Sequence, residues 1–313
     1  MKQLHVRLFG KFAVHWDSQP IEGIEAGKAQ ELFSYLMIYR DQPHPRETLA
    51  DLIWDANSTA QARKYLRQAL WQLQNALQSH SIEVTNPLLL IEQDWIRVNP
   101  DAELWLDVAR FEEAYNSAQG LRGSELDAET LGAVDQAVQL YNADLLLGWY
   151  QDWCLYERER LQNMCLAMLD KLMGYCEAHG MYETGLIHGT RILSFDRARE
   201  RTHRRLMRLH YLAGDRTAAL RQYERCALAL EEELGVKPAT RTSELYSILS
   251  QDASLSLHHL GALPIDIGIS SGELTCLPRV VAHLKQLLGI LDDVQHHVEQ
   301  DIESIEQAIS KQS

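Results

Sequence analysis

The stretch Ala62-Arg-Lys-Tyr-Leu-Arg-Gln-Ala-Leu-Trp-Gln-Leu73 places apolar residues three and four positions apart, which is the spacing that keeps them on one face of a helix. The pattern extends in both directions and predicts a helix from about Thr59 to Gln78, with N-cap candidates in Asn57-Ser58-Thr59. The apolar stripe of this helix consists of Leu66, Leu70, Leu73 and Leu77. One face therefore packs against the protein, and the opposite face is left free.

The free face of this helix carries basic and amide side chains, which are candidate DNA-binding residues. They are Arg63, Lys64, Arg67, Gln68, Gln74 and Asn75. Arg and Lys bind phosphate oxygens, whereas Gln and Asn read base edges through paired donors and acceptors. The alternative interpretation, that these are only the solvated residues of a surface helix, stays open for each residue taken alone.

The segments around this helix predict a small sheet, two further helices and a hairpin. Residues 4–14 alternate in the manner of strands, and residues 28–39 have a helical spacing that ends at the stop signal Asp41-Gln-Pro43. Pro45 opens a short helix that runs to Trp54. Short strands are predicted after the third helix, at residues 82–84, 88–91 and 95–98, of which the last two form a hairpin. The predicted order is strands, three helices and a hairpin.

Four stretches, taken in order, carry a resemblance to a known family. The stretches are Leu4-His-Val-Arg-Leu-Phe-Gly10, Lys28-Ala-Gln-Glu-Leu-Phe33, Arg46-Glu-Thr-Leu-Ala-Asp-Leu-Ile-Trp54 and residues 62–73. They resemble the DNA-binding half of the Streptomyces antibiotic regulatory proteins, whose winged helix is of the response-regulator effector type. This resemblance implies that the helix at residues 59–78 enters the major groove and that the hairpin wing touches the flanking DNA backbone.

One departure from that family concerns Gln74 and Asn75, because relatives commonly carry Arg at these positions. Each phosphate that a protein neutralises adds both to affinity and to its salt dependence. Fewer such contacts imply weaker and less salt-dependent DNA binding per monomer, for which dimerisation would compensate.

The region from about residue 103 to residue 252 is expected to be helical throughout, and part of it repeats. Lys171-Leu-Met-Gly-Tyr-Cys-Glu-Ala-His-Gly180 aligns with Arg205-Leu-Met-Arg-Leu-His-Tyr-Leu-Ala-Gly214 at an offset of thirty-four residues. This period resembles the tetratricopeptide repeat, in which stacked helix hairpins build a grooved surface. Glu231-Glu-Glu-Leu-Gly-Val-Lys-Pro238 looks like part of the end of the bacterial transcriptional activator domain, which follows the winged helix in the same family.

The C-terminal part of the chain predicts a linker followed by an amphipathic helix. Residues 253–279 are dotted with Pro and Gly, and residues 280–313 follow alternating three- and four-residue apolar steps. The apolar positions of this heptad pattern are Val280, Leu284, Leu287, Leu291, Val294, Val298 and Ile305. The helix is expected to pair two chains into a homodimer, with packing against its own chain as the open alternative. His283, His296 and His297 lie near it without the spacing of a metal site, so no metal is expected.

The charge of the chain is unevenly distributed. The 313 residues are 46% hydrophobic and carry a net charge of -14. Residues 1–100 contain ten Lys plus Arg against eleven Asp plus Glu, whereas the rest of the chain contains twenty against thirty-three. An acidic rear part disfavours nucleic acid there and suits a surface that faces protein or solvent.

Several classes of protein are disfavoured by what the sequence lacks. No apolar run is long enough for a membrane span, and the N-terminus does not resemble a signal peptide, so a cytoplasmic location is expected. Phosphate-loop, nucleophile-elbow and zinc-protease motifs are absent, so neither an enzyme nor a cofactor is expected. Five cysteines without a Cys-x-x-Cys pair are expected to be buried thiols: Cys154, Cys165, Cys176, Cys226 and Cys276. The aromatic residues Trp149, Tyr150 and Trp153 are expected to pack in the core, with a ligand pocket as the alternative.

These observations predict a mainly α protein with a small β component. The predicted parts are a winged-helix DNA-binding domain at residues 1–100, a tetratricopeptide-like activator domain at residues 101–252, the linker and the amphipathic helix. The main hypothesis is a sequence-specific regulator, with activation favoured, that binds repeated half-sites in double-stranded DNA and contacts RNA polymerase or another regulatory protein. The competing hypothesis is an adaptor whose helical domain binds a protein, a peptide or an unidentified small-molecule signal while the winged helix has little DNA affinity.

Overall fold

The computed structural model describes residues 3–24, 27–54, 58–78 and 86–251, in which short strands precede a long run of helices. The strands are β1 (Leu4–Arg7), β2 (Ala13–Trp16), β3 (Gln19–Pro20), β4 (His44–Pro45), β5 (Leu89–Ile91), β6 (Trp95–Val98) and β7 (Leu104–Leu106). The helices are α1 (Gly27–Ile38), α2 (Arg46–Ile53), α3 (Thr59–Gln78), α4 (Asp107–Ser117), α5 (Ala128–Leu140), α6 (Asp152–Ala178), α7 (Tyr182–Phe195), α8 (Glu200–Leu212), α9 (Arg216–Leu234) and α10 (Thr240–Ser250). The predicted mainly α fold class is confirmed. The strand predicted at residues 82–84 and the elements predicted beyond residue 252 lie outside the described residues.

The N-terminal part is a winged helix-turn-helix with two small sheets. One sheet has the strand order β3-β2-β1-β7, and the other has the order β4-β6-β5. In the second sheet β5 and β6 pair antiparallel, with Ile91 opposite Ile96, and form the wing. Helices α1, α2 and α3 lie between β3 and β5 in the sequence and pack against one another. The apolar residues Leu32, Phe33 and Leu36 of α1 are fully buried. The predicted order of strands, three helices and a hairpin is confirmed.

The helical part, which runs from α4 to α10, contains two stacked hairpins that match the predicted repeat. The turn between α6 and α7 passes through Gly180, and the turn between α8 and α9 passes through Gly214. Both glycines have a positive φ, 71° and 85°, which an L side chain rarely adopts. The two hairpins pack against each other through α7 and α8. The period of thirty-four residues therefore corresponds to one helix pair, as in a tetratricopeptide repeat.

The cysteines of α6 lie in the core of the helical part. Cys154, Cys165 and Cys176 are all buried, and Cys226 on α9 is buried as well. Burial disfavours the thiolate and raises the pKa of Cys165 to about 11. The expectation of buried thiols is confirmed for these four residues, and Cys276 lies outside the described residues.

The aromatic group before α6 departs from the expected core packing. Trp149 and Trp153 are half-buried with their ring centroids 6.4 Å apart, and Trp153 packs edge-on against Tyr35 of α1. Tyr150, however, is 78% exposed, so the core prediction is wrong for that residue. Gly148 has a φ of 90° in the turn that precedes it, and Tyr150 lies at the rim of an open depression beside Lys28.

The strand β7 contradicts the expectation that the chain is helical throughout from about residue 103. Leu104–Leu106 pairs parallel with β1 and completes the N-terminal sheet. The reason is that β1 has a second edge, and three extended residues with a buried Leu106 satisfy its backbone groups. A residue range assigned to the helical part thus supplies a strand to the winged helix.

A buried carboxylate fixes this junction between the winged helix and the helical part. Asp107, the first residue of α4, is 3% exposed. Its carboxylate accepts the backbone N–H of Leu8 at 2.8 Å, of Phe9 at 2.9 Å and of Val108 at 2.8 Å. Burial raises the pKa of Asp107, and these hydrogen bonds act in the opposite direction by favouring the charged form. A side chain of the helical part therefore accepts the backbone N–H groups of the two residues that follow β1.

Aromatic packing and ion pairs extend the same junction. Phe9 packs against Phe111 of α4 and against Tyr141, with ring centroids 5.2 and 5.0 Å apart. Glu112 of α4 accepts from Arg40 at 2.6 Å and from Arg160 of α6 at 2.5 Å. One hydrophobic core consequently runs through both parts, and residues 1–252 form one compact unit.

Acidification is expected to destabilise the helical part through His203. This ring is buried on α8, where Nε2 lies 2.8 Å from the Arg197 carbonyl oxygen and Nδ1 lies 2.8 Å from the Gln222 amide nitrogen. Nε2–H donates to the carbonyl, and Nδ1 accepts from the amide, so the contacts fit a neutral ring. Burial lowers the pKa of His203, despite hydrogen bonds and the nearby Glu200 and Asp196 that act to raise it.

A folded-state pKa below the unfolded value near 6.5 means that this contribution is present above about pH 6.5 and is lost progressively as the pH falls from that value toward the lower folded-state pKa. We expect the free energy of unfolding, measured by urea titration, to fall between about pH 7.5 and 6.0. The His203→Asn variant should be less stable than the parent at the higher pH, and the gap should narrow at the lower one. A gap that stays constant would contradict a titrating role, and His179→Asn, at an exposed position, is the control.

Candidate nucleic-acid interface

Helix α3 begins and ends where its sequence pattern predicts. Ser58 caps its first turn, because the Gln61 backbone N–H donates to Ser58 Oγ at 3.3 Å. The buried residues of α3 are Ala62, Leu66, Ala69, Leu70, Leu73, Ala76 and Leu77. This stripe packs against α1 and α2, so the position of the helix is fixed by its apolar face.

All six candidate DNA-binding residues lie on the exposed side of α3. They are Arg63, Lys64, Arg67, Gln68, Gln74 and Asn75, and each is exposed. At about 100° per residue, Lys64, Gln68 and Asn75 lie opposite the buried stripe, and Arg67 lies beside them. Arg63 and Gln74 lie closer to its edge. The structure therefore brings the six residues to one surface.

The charged residues of this face differ in their surroundings. Arg63 forms an ion pair with Glu47 of α2, and both side chains are more than half exposed. Such a pair contributes little to stability, since water screens it. Within the described part of the chain, Lys64 and Arg67 make no ion pair or hydrogen bond. These two cations are available to an anion, whereas Arg63 would exchange one carboxylate partner for another.

Helix α3 itself has no acidic residue. Between Thr59 and Gln78 the sequence contains three cations and no Asp or Glu. The acidic groups of the surrounding elements, such as Glu47, lie outside this helix. A helix whose exposed face carries cations and amides can contact phosphates and base edges, and this helix has no carboxylate of its own that would repel the phosphates.

The wing has a more mixed charge. Its turn carries the carboxylates of Glu92 and Asp94, and its strand β6 carries an exposed Arg97. The guanidinium of Arg46 donates to the Glu92 carbonyl oxygen at 3.2 Å, and the Arg46 N–H donates to the Asp94 carbonyl oxygen at 2.9 Å. The wing is thus held against the start of α2, and its cationic residue is on the strand instead of the tip.

Two exposed residues, one on this face of α3 and one on the wing, are absent from the set predicted from the sequence. Trp71 is 62% exposed on the same side of α3 as Lys64 and Gln68, and Arg97 is exposed on the wing. The helical period was a sufficient signal for Trp71, because it follows Arg67 by four positions. For Arg97 the alternation of β6 was the available signal, since Ile96 and Val98 on either side are buried.

Other kinds of site find less support in the described residues. No cluster of three or more His, Cys, Asp or Glu side chains there has the arrangement of a metal site. No helix in residues 3–24, 27–54, 58–78 and 86–251 is long and apolar enough to cross a membrane. His283, His296 and His297 lie outside the described residues.

Comparison with known proteins places the helical part in a family and relates the whole unit to regulatory proteins. Residues 106–249 match the bacterial transcriptional activator domain family. The chain is 26% identical over 223 residues to the transcriptional regulatory protein MoaR1 of Mycobacterium tuberculosis, a match that covers 70% of each chain. It is 24% identical over 238 residues to the regulatory protein AfsR of Streptomyces coelicolor, which covers 75% of this chain and 23% of AfsR.

A solved structure has the same fold. The structure of Mycobacterium tuberculosis EmbR in complex with a low-affinity phosphopeptide superposes with a TM-score of 0.59 at 18% identity. The match covers 83% of this chain and 68% of that chain. It therefore includes the winged-helix and helical parts together.

Proposed function

We propose that this chain, a transcriptional regulator of the Streptomyces antibiotic regulatory protein type with a bacterial transcriptional activator domain, binds double-stranded promoter DNA in a sequence-specific manner through α3. The observation that carries the proposal is the exposed face of α3, where cations and amides occur together and the helix itself contributes no carboxylate. Arg67 and Lys64 bind phosphates, and Gln68, Gln74 and Asn75 read base edges in the major groove.

The helical part of the chain contacts the proteins through which the regulator acts on transcription. The helical part presents its stacked hairpins to RNA polymerase or another regulatory protein, and activation is the favoured outcome. The named relatives are regulatory proteins, so we assign no enzymatic activity, and a regulator of transcription acts in the cytoplasm. A homodimer formed through residues 280–313 would bind repeated half-sites.

The direct test is DNA binding by the full chain. Fluorescence anisotropy with genomic fragments from around its own gene, at a low and a moderate salt concentration, measures both affinity and its salt dependence. We expect salt-sensitive binding that is selected by sequence, because phosphate contacts release counterions. An absence of binding at low salt would instead favour the adaptor hypothesis, to which Gln74, Asn75 and the acidic wing turn lend weight.

Arg67→Ala is expected to weaken binding to every fragment without unfolding the protein. Loss of one phosphate contact lowers the slope of log affinity against log salt by about one. The side chain lies outside the buried stripe, so the free energy of unfolding should change by less than about 0.5 kcal/mol.

The matched control is Arg221→Ala, which removes an exposed arginine from α9 in the helical part and should leave the salt slope unchanged. An unaltered slope in Arg67→Ala would remove this residue from the interface.

A further inference from the structure

Trp71 is the large apolar side chain that the fold leaves on the candidate DNA-binding face of α3. It is 62% exposed, and the residues three and four positions from it are Arg67, Gln68, Gln74 and Asn75. Side chains at these spacings are neighbours on the surface of a helix. The indole is therefore surrounded by four of the six candidate DNA-binding residues.

Trp71 is not needed to complete the apolar face of α3 that packs in the core. Helix α3 already has a continuous apolar stripe, which includes the buried Leu70 one position before Trp71 and the buried Leu73 two positions after it. Tyr65, the other aromatic residue of the helix, is 37% exposed, and its hydroxyl accepts from the Gln61 amide at 2.7 Å. Trp71 lies on the side of the helix opposite the buried stripe, where it adds apolar area to a polar surface.

The chemistry of the major groove offers one apolar group to such a side chain. Thymine presents its C5 methyl group there, whereas the other base edges present hydrogen-bond donors and acceptors. Arg67, Gln68 and Asn75 can form hydrogen bonds with polar base edges next to the indole, and the indole can pack against the methyl group. The positive charge of α3 favours DNA over a protein partner as the occupant of this face.

We propose that Trp71 packs against a thymine methyl group in the major groove and makes the operator preference of this regulator depend on a thymine at that position. The inference rests on the proposed function, since it specifies what α3 reads when it is bound to DNA.

The test replaces the thymines of a bound operator one at a time by deoxyuridine, which removes only the C5 methyl. Affinities are measured with the full chain. For the unmodified chain we expect a loss of about fourfold at one position in each half-site, the effect of one buried methyl group. For Trp71→Ala we expect weaker binding to the thymine operator and no further loss on deoxyuridine substitution at that position, as a pairwise contact requires. Trp71→Phe should fall between the two.

Tyr156→Ala is the matched control, because it removes a 69% exposed aromatic residue from α6, outside the candidate interface. It should keep the fourfold effect. The inference is overturned if Trp71→Ala retains the deoxyuridine effect, or if no single deoxyuridine matters to the unmodified chain. It is equally overturned if Trp71→Ala lowers the mass of the oligomer and leaves DNA affinity intact, which would place the indole in a protein contact. Failure of the unmodified chain to bind any fragment would instead refute the proposed function itself.

Discussion

Asp107→Ala is expected to lower the free energy of unfolding of the whole 1–252 unit by about 4 kcal/mol. The change leaves the buried N–H groups of Leu8 and Phe9 without acceptors, at about 1–3 kcal/mol for each group. Water cannot replace the carboxylate, because Leu8 and Phe9 are both buried. Urea unfolding followed by circular dichroism measures the loss.

Two variants separate the carboxylate from a general effect of substitution. Asp107→Asn keeps the shape and one carbonyl oxygen, so about half of the loss should remain. Asp101→Ala removes an exposed aspartate from the segment before β7 and should change the free energy of unfolding by less than about 0.5 kcal/mol. A small loss in Asp107→Ala would mean that the junction does not depend on this side chain.

The features that the sequence predicted well are local. Helix α3 was predicted with its observed bounds, since its start depends on Ser58 and its orientation on a stripe of leucines within four residues of one another. The exposure of the six candidate residues followed from the same period. The repeat in the helical part was equally visible, because Gly180 and Gly214 mark turns that occur one period apart.

The features that it missed depend on partners far away along the chain. Asp107 contacts Leu8, which lies 99 positions before it in the sequence. No local pattern reveals that an aspartate at the start of a helix will accept backbone N–H groups at the end of a distant strand. Strand β7 is three residues long, too short for alternation to predict it. Tyr150 was expected in the core by residue type alone, but the turn at Gly148 directs it to solvent.

A fragment that ends at residue 100 is expected to lose cooperative folding, although it contains every element of the winged helix that the sequence pattern predicts. It lacks β7 and Asp107, so β1 loses a strand partner and the acceptor of two N–H groups. Phe9 also loses Phe111 and Tyr141, and a fully buried Phe contributes about 3–5 kcal/mol.

These losses together exceed about 5 kcal/mol, which is comparable to the total stability of a small domain. We therefore expect fragment 1–100 to give no sigmoidal urea transition by far-ultraviolet circular dichroism, whereas fragment 1–252 gives a single one. The longer fragment is the control, because it retains the whole compact unit and its continuous core. A cooperative transition in fragment 1–100 would refute the dependence of the winged helix on the helical part. If the expectation holds, DNA binding has to be assayed with the helical part attached, since weak binding by the short fragment would reflect unfolding and not the chemistry of α3.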